Sequence, residues 1–263
     1  MIIDFHSHAF PDRIAASALG RLTVNSGNQR PVFDGTVAGL VAHEREAGVD
    51  MAVVANIATN PRQMRNVNDF AISINSLDGV TAFGSVHPAA PDALSELSRL
   101  VEAGIKGIKL HPDYQDFFAD DPDVYPIYAK AAELGLITLF HAGMDIGLFE
   151  PVHAAPERLA NALPAFGGGV VVAAHWGGYS MWYDVEKYLV GADVYFDTSY
   201  AYGRMPPGQA RRIIANHGSD RILFGSDTPW SRPSDELLFA RAVAGDGAEA
   251  ILGGNAARLL GLS

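Results

Sequence analysis

Short apolar segments alternate with longer segments of helical periodicity along almost the whole chain. Near-continuous apolar runs are typical of parallel strands that are buried on both faces of a sheet. The pattern predicts eight such strands, at Ile2–Phe5, Val49–Ile57, Val80–Val86, Ile105–Leu110, Leu136–Phe140, Val170–Ala174, Val194–Phe196 and Arg221–Phe224.

The segments between the strands carry the signals of helix starts and ends. Several open with proline in the first turn, and several end in glycine, such as Gly48, Gly104 and Gly135. The longest stretch without a clear pattern, Ala9–Asp34, is expected to be an irregular insertion. The predicted helices are Val37–Ala47, Arg62–Leu77, Pro91–Ala103, Pro122–Leu134, Pro156–Leu163, Tyr183–Val190, Pro207–His217, Asp235–Ala244 and Ala248–Leu260.

Eight strand–helix repeats in 263 residues predict an α/β protein with a TIM (β/α)8 barrel. An open doubly wound sheet is the alternative, but its phosphate-cradling glycines are missing after the first strand. Because no linker or change of composition interrupts the chain, we expect a single domain over residues 1–263.

The amino-acid composition excludes several classes of binding partner and of metal site. The net charge of −11 argues against nucleic acid and anionic membranes as partners, which leaves a small-molecule substrate as the expectation. The absence of cysteine excludes disulfides and thiolate metal sites. No signal peptide and no apolar stretch approaching ~18–20 residues is visible, so a cytoplasmic location is the default expectation.

Histidines gather at the predicted strand ends. His6 and His8 leave the first strand at positions i and i+2, so their side chains can point to one face. His141 and His175 end the fifth and sixth strands, and Asp227 follows the eighth. Active sites of such barrels lie at the carboxyl ends of the strands, and neutral imidazole and carboxylate bind Zn²⁺ and similar ions. These five residues therefore predict a metal centre.

The sequence motifs of this chain resemble those of a known family. Its motifs DFHSH, GIKLHP, FHAG, AHWGG, FGSDTP and ILGGNAARLLGL, in this order, are similar to those of the amidohydrolase superfamily. The resemblance spans nearly the whole chain. It points to the amidohydrolase-related group (amidohydrolase 2), which includes metal-dependent hydrolases and decarboxylases of the aminocarboxymuconate-semialdehyde type.

The resemblance implies roles for individual residues. His6, His8, His141 and Asp227 would ligate one divalent metal, with Zn²⁺ as the first choice. His175 and Asp227 would be catalytic, with His175 facing the reacting water or the substrate oxygen. The resemblance also suggests a homodimer.

Lys109 leaves the number of metal ions open. In the binuclear branch of the superfamily, His141 and His175 bind a second ion, and a carbamylated lysine such as Lys109 bridges the two. Lys109 is equally a candidate cation for a substrate carboxylate, or a side chain whose head reaches solvent. We favour one ion.

Further residues are candidates for substrate binding or support. Trp176 and Trp230 could wall a pocket or simply pack, and Tyr114 and Arg232 could hold a substrate carboxylate. His111 is a further candidate for substrate binding. Asp197, at the end of the seventh strand, could accept a hydrogen bond from a metal-ligating histidine, or it could cap the following segment. The charged run at residues 44–46 is interpreted as a solvated helix face.

Two reactions are compatible with these residues. The main hypothesis is a hydrolase that cleaves an amide, lactone or ester bond with metal-activated water, Asp227 acting as the base. The alternative is a non-oxidative decarboxylase of a small unsaturated or aromatic acid.

Overall fold

The computed structural model describes residues 1–148 and 150–262, and the chain divides into two compact units. The first unit comprises Met1–Val54, Leu77–Thr81 and Asp197–Ser263, and the second comprises Ala55–Ser76 and Ala82–Phe196. Both units consist of strands and helices in alternation. The prediction of a single domain stays a prediction.

A strand is present at each of the eight predicted places, and six of them are one to four residues shorter than predicted. The first strand instead continues to Ser7 and so includes His6, and the seventh keeps its length but is shifted by one residue to include Asp197. The strands are β1 Ile3–Ser7, β2 Met51–Ala55, β3 Val80–Phe83, β4 Gly107–Leu110, β5 Ile137–Phe140, β6 Val171–Ala173, β7 Tyr195–Asp197 and β8 Ile222–Leu223.

Helices connect the strands, as predicted. They are α1 Asp12–Asn25, α2 Val37–Ala47, α3 Met64–Ile74, α4 Ala93–Glu102, α5 Pro112–Gln115, α6 Tyr125–Glu133, α7 Pro156–Ala162, α8 Trp182–Tyr188, α9 Pro207–His217, α10 Pro233–Ala244 and α11 Asn255–Leu260. The residues that the structure describes contain no helix long and apolar enough to cross a membrane.

In the first unit, β1 lies between β2 and β8. It pairs with β2 in parallel, with Ile3 opposite Met51. On its other side, the Phe5 amide donates to the Phe224 carbonyl at 2.8 Å, just beyond β8. Val49, Phe224, Leu237 and Ala240 form an apolar core beneath these strands. The order of strands places the ends of β1 and β8 side by side.

In the second unit, β4, β5, β6 and β7 pair in parallel in sequence order. Leu110 lies opposite Phe140, and Phe140 lies opposite Ala173. The helical layer packs through aromatic rings, with Tyr128 stacked on Phe166 at 4.4 Å between ring centroids. The Tyr128 hydroxyl donates to the Ala119 carbonyl at 3.0 Å, so its polar end is also satisfied. The carboxyl ends of these strands therefore share one edge.

The expectation of an irregular segment at residues 9–34 is wrong. Residues 12–25 form α1, which begins directly after Pro11. Its buried face is narrow and consists of Ala15, Ala18 and Leu19. Two of these three residues are alanines, so the periodic apolar signal in the sequence is weak. Alanine nevertheless has the highest helix propensity, and this explains the helix.

The interpretation of residues 44–46 as a solvated helix face is also wrong. Glu44 is 2% exposed, whereas its neighbour Arg45 reaches Asp78 on the surface at 2.6 Å. Consecutive helical residues are about 100° apart, so a short charged run cannot keep to one face. Glu44 shares the buried face of α2 with Leu40.

Candidate metal centre

His6, His8 and Asp227 come together in the first unit. Nε2 of His8 lies 3.1 Å from Oδ1 of Asp227, and Nε2 of His6 lies 3.5 Å from the same oxygen. Ligands about 2.05 Å from a tetrahedral metal are separated by about 3.3 Å. The observed separations lie on either side of this value, so the three side chains fit one divalent cation.

The orientation of the two imidazole rings supports the same conclusion. The rings of His6 and His8 are 5.1 Å apart between centroids and inclined by 72°. The lone pair of an imidazole nitrogen lies in the ring plane, so two inclined rings can direct lone pairs to one point. This part of the predicted ligand set is consistent with a metal centre.

Backbone hydrogen bonds set the positions of these side chains. The Asp227 amide donates to the His6 carbonyl at 2.7 Å, and the His8 amide donates to the Thr228 carbonyl at 2.8 Å. Asp227 itself has a φ of 65°, in the left-handed region that costs a residue with a Cβ roughly 1 kcal/mol. Such strain is typical of functional sites, where the surrounding structure holds the residue in place.

Asp197 supports His6 from the side opposite the metal position. Its Oδ2 lies 2.8 Å from Nδ1 of His6, and both side chains are buried. Ser199 also contacts His6 Nδ1, at 3.1 Å, and its amide donates to Asp197 Oδ1 at 3.0 Å. A proton on Nδ1 leaves the Nε2 lone pair for a metal. The structure thus places Asp197 in the supporting position that the sequence suggested.

The three candidate ligands differ in accessibility. The His6 side chain is 1% exposed, whereas those of His8 and Asp227 are each 13% exposed. Asp227 can therefore meet a reactant as well as a metal. A carboxylate in this position can accept or deliver a proton.

The other predicted histidines lie together in the second unit. Nε2 of His175 lies 3.1 Å from Nδ1 of His141, and the rings of His111 and His141 stack at 4.1 Å between centroids. Asp145, a residue that the sequence analysis missed, lies 3.4 Å from Nε2 of His111 and 4.0 Å from Nε2 of His141. That His141 and His175 bind the same metal ion as His6 stays a prediction.

The stacked pair His111–His141 is a poor metal chelate by itself, although its ligand atoms and Asp145 lie close together. The two rings are inclined by only 5°. Parallel rings in van der Waals contact direct their in-plane lone pairs along separate planes, so one ion cannot lie in both. Burial and the nearby His111 and Lys109 hold the pKa of His141 well below its usual range, which keeps this imidazole neutral.

Lys109 is 1% exposed, so its head does not reach solvent as one alternative supposed. Its carbonyl accepts a hydrogen bond from the Ser85 hydroxyl at 2.8 Å. A buried lysine is a candidate for carbamylation or for binding an acid. Carbamylation of Lys109 and binding of a substrate carboxylate by Lys109 are therefore both compatible with the structure.

The remaining substrate-binding candidates are scattered. Trp176 is completely buried, which favours the packing interpretation. Tyr114 is half-buried with its ring 4.4 Å from that of His111, and Arg232 is exposed before α10. Trp230 is half-buried, and its carbonyl accepts from the Gln29 side-chain amide at 2.7 Å. Their roles in binding stay predictions.

Comparison with known proteins identifies the family. The family model described as Amidohydrolase matches residues 3–262. The chain belongs to the amidohydrolase family. No curated protein sequence matches the chain.

Solved structures show the fold. A TIM-barrel protein of undescribed activity from Bordetella bronchiseptica is 21% identical, with a TM-score of 0.76 and coverage of 99% of this chain and 98% of that one. A 5-carboxyvanillate decarboxylase from Sphingomonas paucimobilis is 17% identical, with a TM-score of 0.75 and coverage of 100% and 99%. A manganese-bound dihydroxybenzoic acid decarboxylase from a Polaromonas species is 16% identical, with a TM-score of 0.73 and coverage of 99% and 97%. The predicted TIM-barrel fold is confirmed.

Proposed function

We propose that this amidohydrolase-family protein is a metal-dependent, non-oxidative decarboxylase of a small unsaturated or aromatic carboxylic acid. The observation that carries the proposal is the convergence of His6, His8 and Asp227 on one position in the first unit. Three protein ligands leave coordination positions for a substrate, as catalytic metal sites require.

The bound metal ion and Asp227 would have different roles in the reaction. A bound divalent cation would supply a Lewis acid for a substrate oxygen. In the reaction, the bond between the substrate carbon and its carboxylate breaks, carbon dioxide leaves, and the electron pair stays on the carbon. That carbon then takes up a proton. Asp227 is the partly exposed acid at the site and is assigned the delivery of this proton.

Two kinds of support favour decarboxylation. Two of the structures compared above are described as decarboxylases of aromatic acids. In addition, the second unit buries Lys109 near the neutral imidazole of His141, a surrounding that suits an anionic substrate. Hydrolysis is the second candidate, because the family itself is described as Amidohydrolase and Asp227 could equally accept a proton from water.

The metal is proposed as a divalent ion without commitment to zinc. Imidazole and carboxylate ligands accept several first-row ions, and one structural neighbour is described with manganese. Loading the metal-free protein separately with Zn²⁺ and Mn²⁺ identifies the ion that supports turnover.

The deciding experiment separates the two reactions. The protein, loaded with each metal, is incubated with carboxyl-labelled aromatic acids and with lactones and amides in ¹⁸O water. We expect labelled carbon dioxide and no ¹⁸O in the organic product. Ring opening with ¹⁸O incorporation and no carbon dioxide would replace decarboxylation by hydrolysis.

A matched pair of variants ties the activity to the site. Asp227→Asn removes the proton carrier and should lower turnover by at least 10²-fold. Asp235→Asn makes the same chemical change at a partly exposed position in the first turn of α10 and should leave turnover unchanged. Full activity in Asp227→Asn, or in protein freed of metal, would refute the proposed centre.

A further inference from the structure

The buried side chain of Gln115 is bonded to the segments that follow three strands in the second unit. Gln115 is the last residue of α5 and is 2% exposed. Its Nε2 donates to the Ala58 carbonyl at 3.0 Å and to the Val86 carbonyl at 2.9 Å, and its Oε1 accepts from the His111 amide at 2.9 Å. These three partners follow β2, β3 and β4, respectively. One side chain thus joins three segments at the carboxyl ends of strands.

The amide group of Gln115 is fully used by these contacts. A side-chain amide has two N–H donors, and here each meets a different carbonyl, while the oxygen meets an N–H. The reverse orientation would place the oxygen against two carbonyls, so the network fixes which atom is nitrogen. An apolar residue at this position would remove a partner from three buried main-chain groups, which is unfavourable.

His111 is the residue whose backbone this arrangement fixes. Its amide donates to Gln115 Oε1, and its carbonyl accepts from the Gln115 amide at 2.9 Å, so both of its main-chain polar groups are bonded to one residue. The His111 imidazole in turn caps α5, because its Nδ1 accepts from the Tyr114 amide at 3.4 Å. The opposite nitrogen, Nε2, lies 3.4 Å from Oδ2 of Asp145. The backbone of His111 therefore determines where its Nε2 edge lies.

The ring of His111 lies in the polar cluster of the second unit. It stacks on His141 with 4.1 Å between ring centroids, and the Tyr114 ring lies edge-on to it at 4.4 Å. A misplacement of about 1 Å that arises far from the reacting atoms can lower turnover by about 10²-fold. A residue that fixes the backbone of His111 can therefore affect turnover without touching the substrate.

We propose that Gln115 is a positioning residue for the reaction, acting through the backbone of His111 on the place where that imidazole meets the substrate. The proposal rests on the proposed function, because it presumes that His111 binds the substrate. Gln115 thereby joins the site although no local pattern in the sequence indicates it.

Three substitutions test this role. Gln115→Met keeps the length of the side chain but removes both donors and the acceptor. Gln209→Met makes the same change at a buried position of α9, in the first unit, and is the control for the loss of a buried glutamine. His111→Asn removes the imidazole but keeps a side chain that can cap α5.

The first readout is the NMR spectrum of the histidine ring protons in Zn²⁺-loaded protein, recorded where circular dichroism shows every variant to be folded. The signals of His111 are identified by their loss in His111→Asn. We expect Gln115→Met to shift these signals, because the His111 ring moves relative to the rings of His141 and Tyr114. Gln209→Met should leave them at the positions of the parent protein.

The second readout is a double-mutant cycle on kcat/KM with the best substrate of the labelling experiment. Gln115→Met should lower kcat/KM at least about tenfold in the parent, but by less than about threefold in His111→Asn protein. Gln209→Met should stay within about threefold of the parent. A role in stability alone would lower the unfolding temperature without this non-additivity.

Three results would overturn the proposal: His111 ring signals that do not move in Gln115→Met, losses that multiply in the double variant, or parent-like kcat/KM in His111→Asn. If Gln115→Met does not fold, Gln115→Asn replaces it in both measurements. Asparagine keeps the amide but is one methylene shorter, so it cannot reach the His111 amide and both carbonyls at once. A folded Gln115→Asn protein with the ring signals and turnover of the parent would equally refute the role.

These outcomes are distinguishable from a failure of the proposed function. If the parent hydrolyses its substrate and releases no carbon dioxide, decarboxylation is wrong, and the same cycle on the hydrolysed substrate still decides the role of Gln115. If the parent decarboxylates and the Gln115 series shows no difference, the function stands and the positioning role is wrong.

Discussion

Replacement of Asp197 by asparagine tests whether the contact with His6 prepares the metal ligand. In the structure, Asp197 accepts from His6 Nδ1 at 2.8 Å through one oxygen and from the Ser199 amide at 3.0 Å through the other. Asparagine can satisfy only one of these contacts with its oxygen. If the oxygen faces Ser199, the amide nitrogen faces Nδ1, and the imidazole must carry its proton on the metal-binding Nε2.

If the oxygen faces His6 instead, two N–H groups confront each other at Ser199 in a site without solvent. A buried unsatisfied donor costs about 1–3 kcal/mol, and a hydrogen bond to a charged group contributes about 1.5–3 kcal/mol. Either orientation therefore predicts a loss of about 1.4–2.7 kcal/mol in metal binding, which is about 10–100-fold in affinity.

The assay is a competition titration of Zn²⁺ or Mn²⁺ against a chelator of known affinity. Asp184→Asn is the control, because it makes the same chemical change on α8, in the second unit. Thermal unfolding of both metal-free variants shows whether the fold survives. An affinity of Asp197→Asn within twofold of that of Asp184→Asn would refute the supporting role of the carboxylate.

Three further predictions concern the fold around the site. Burial raises the pKa of Glu236 to about 7, so the folded state keeps a proton that the unfolded state loses near pH 4.5. Because of this group, the free energy of unfolding should fall by about 3 kcal/mol as the pH rises from 4.5 to 7. Glu236→Gln should flatten that part of the stability profile measured in urea, and an unchanged profile would contradict the assignment. Gly143→Ala should lower the free energy of unfolding by at least about 2 kcal/mol, because a Cβ at this position, where φ is 82°, would lie 2.3 Å from the Tyr179 amide nitrogen. Gly135→Ala is the control, because open space surrounds Gly135, and it should cost only about 1 kcal/mol. Equal losses of stability in calorimetry would refute the clash. Tyr128→Phe should cost about 1 kcal/mol through its lost bond to a buried carbonyl, and no change in denaturant midpoint would argue against that bond.

The local pattern of apolar and polar residues predicted much of the fold and part of the candidate site. The alternation of apolar runs and helical segments located all eight strands, because strands buried on both faces require continuous apolar residues. The spacing of His6 and His8 and the position of Asp227 after the last strand predicted their convergence, because parallel strands end at one edge. Helix α1 was missed because its buried face consists mainly of alanine.

Other features depend on contacts between distant parts of the chain. Asp145 joins His111 through a loop that no periodic pattern describes. Glu44 lies in a charged run that resembles any surface helix, and only the packing of α2 in the folded chain shows that it is buried. The parallel stacking of His111 and His141 likewise results from side-chain rotamers in a packed interior.

The sequence by itself determined the fold class and the family, and it supplied the candidate residues for the chemistry. These follow from residue type and from spacing along the chain, which local periodicity and motifs record. The tertiary structure decided which of those residues meet, which nitrogen each imidazole presents, and which acids are buried. Such properties depend on side-chain directions and on the exclusion of water, and both arise only when distant segments pack together.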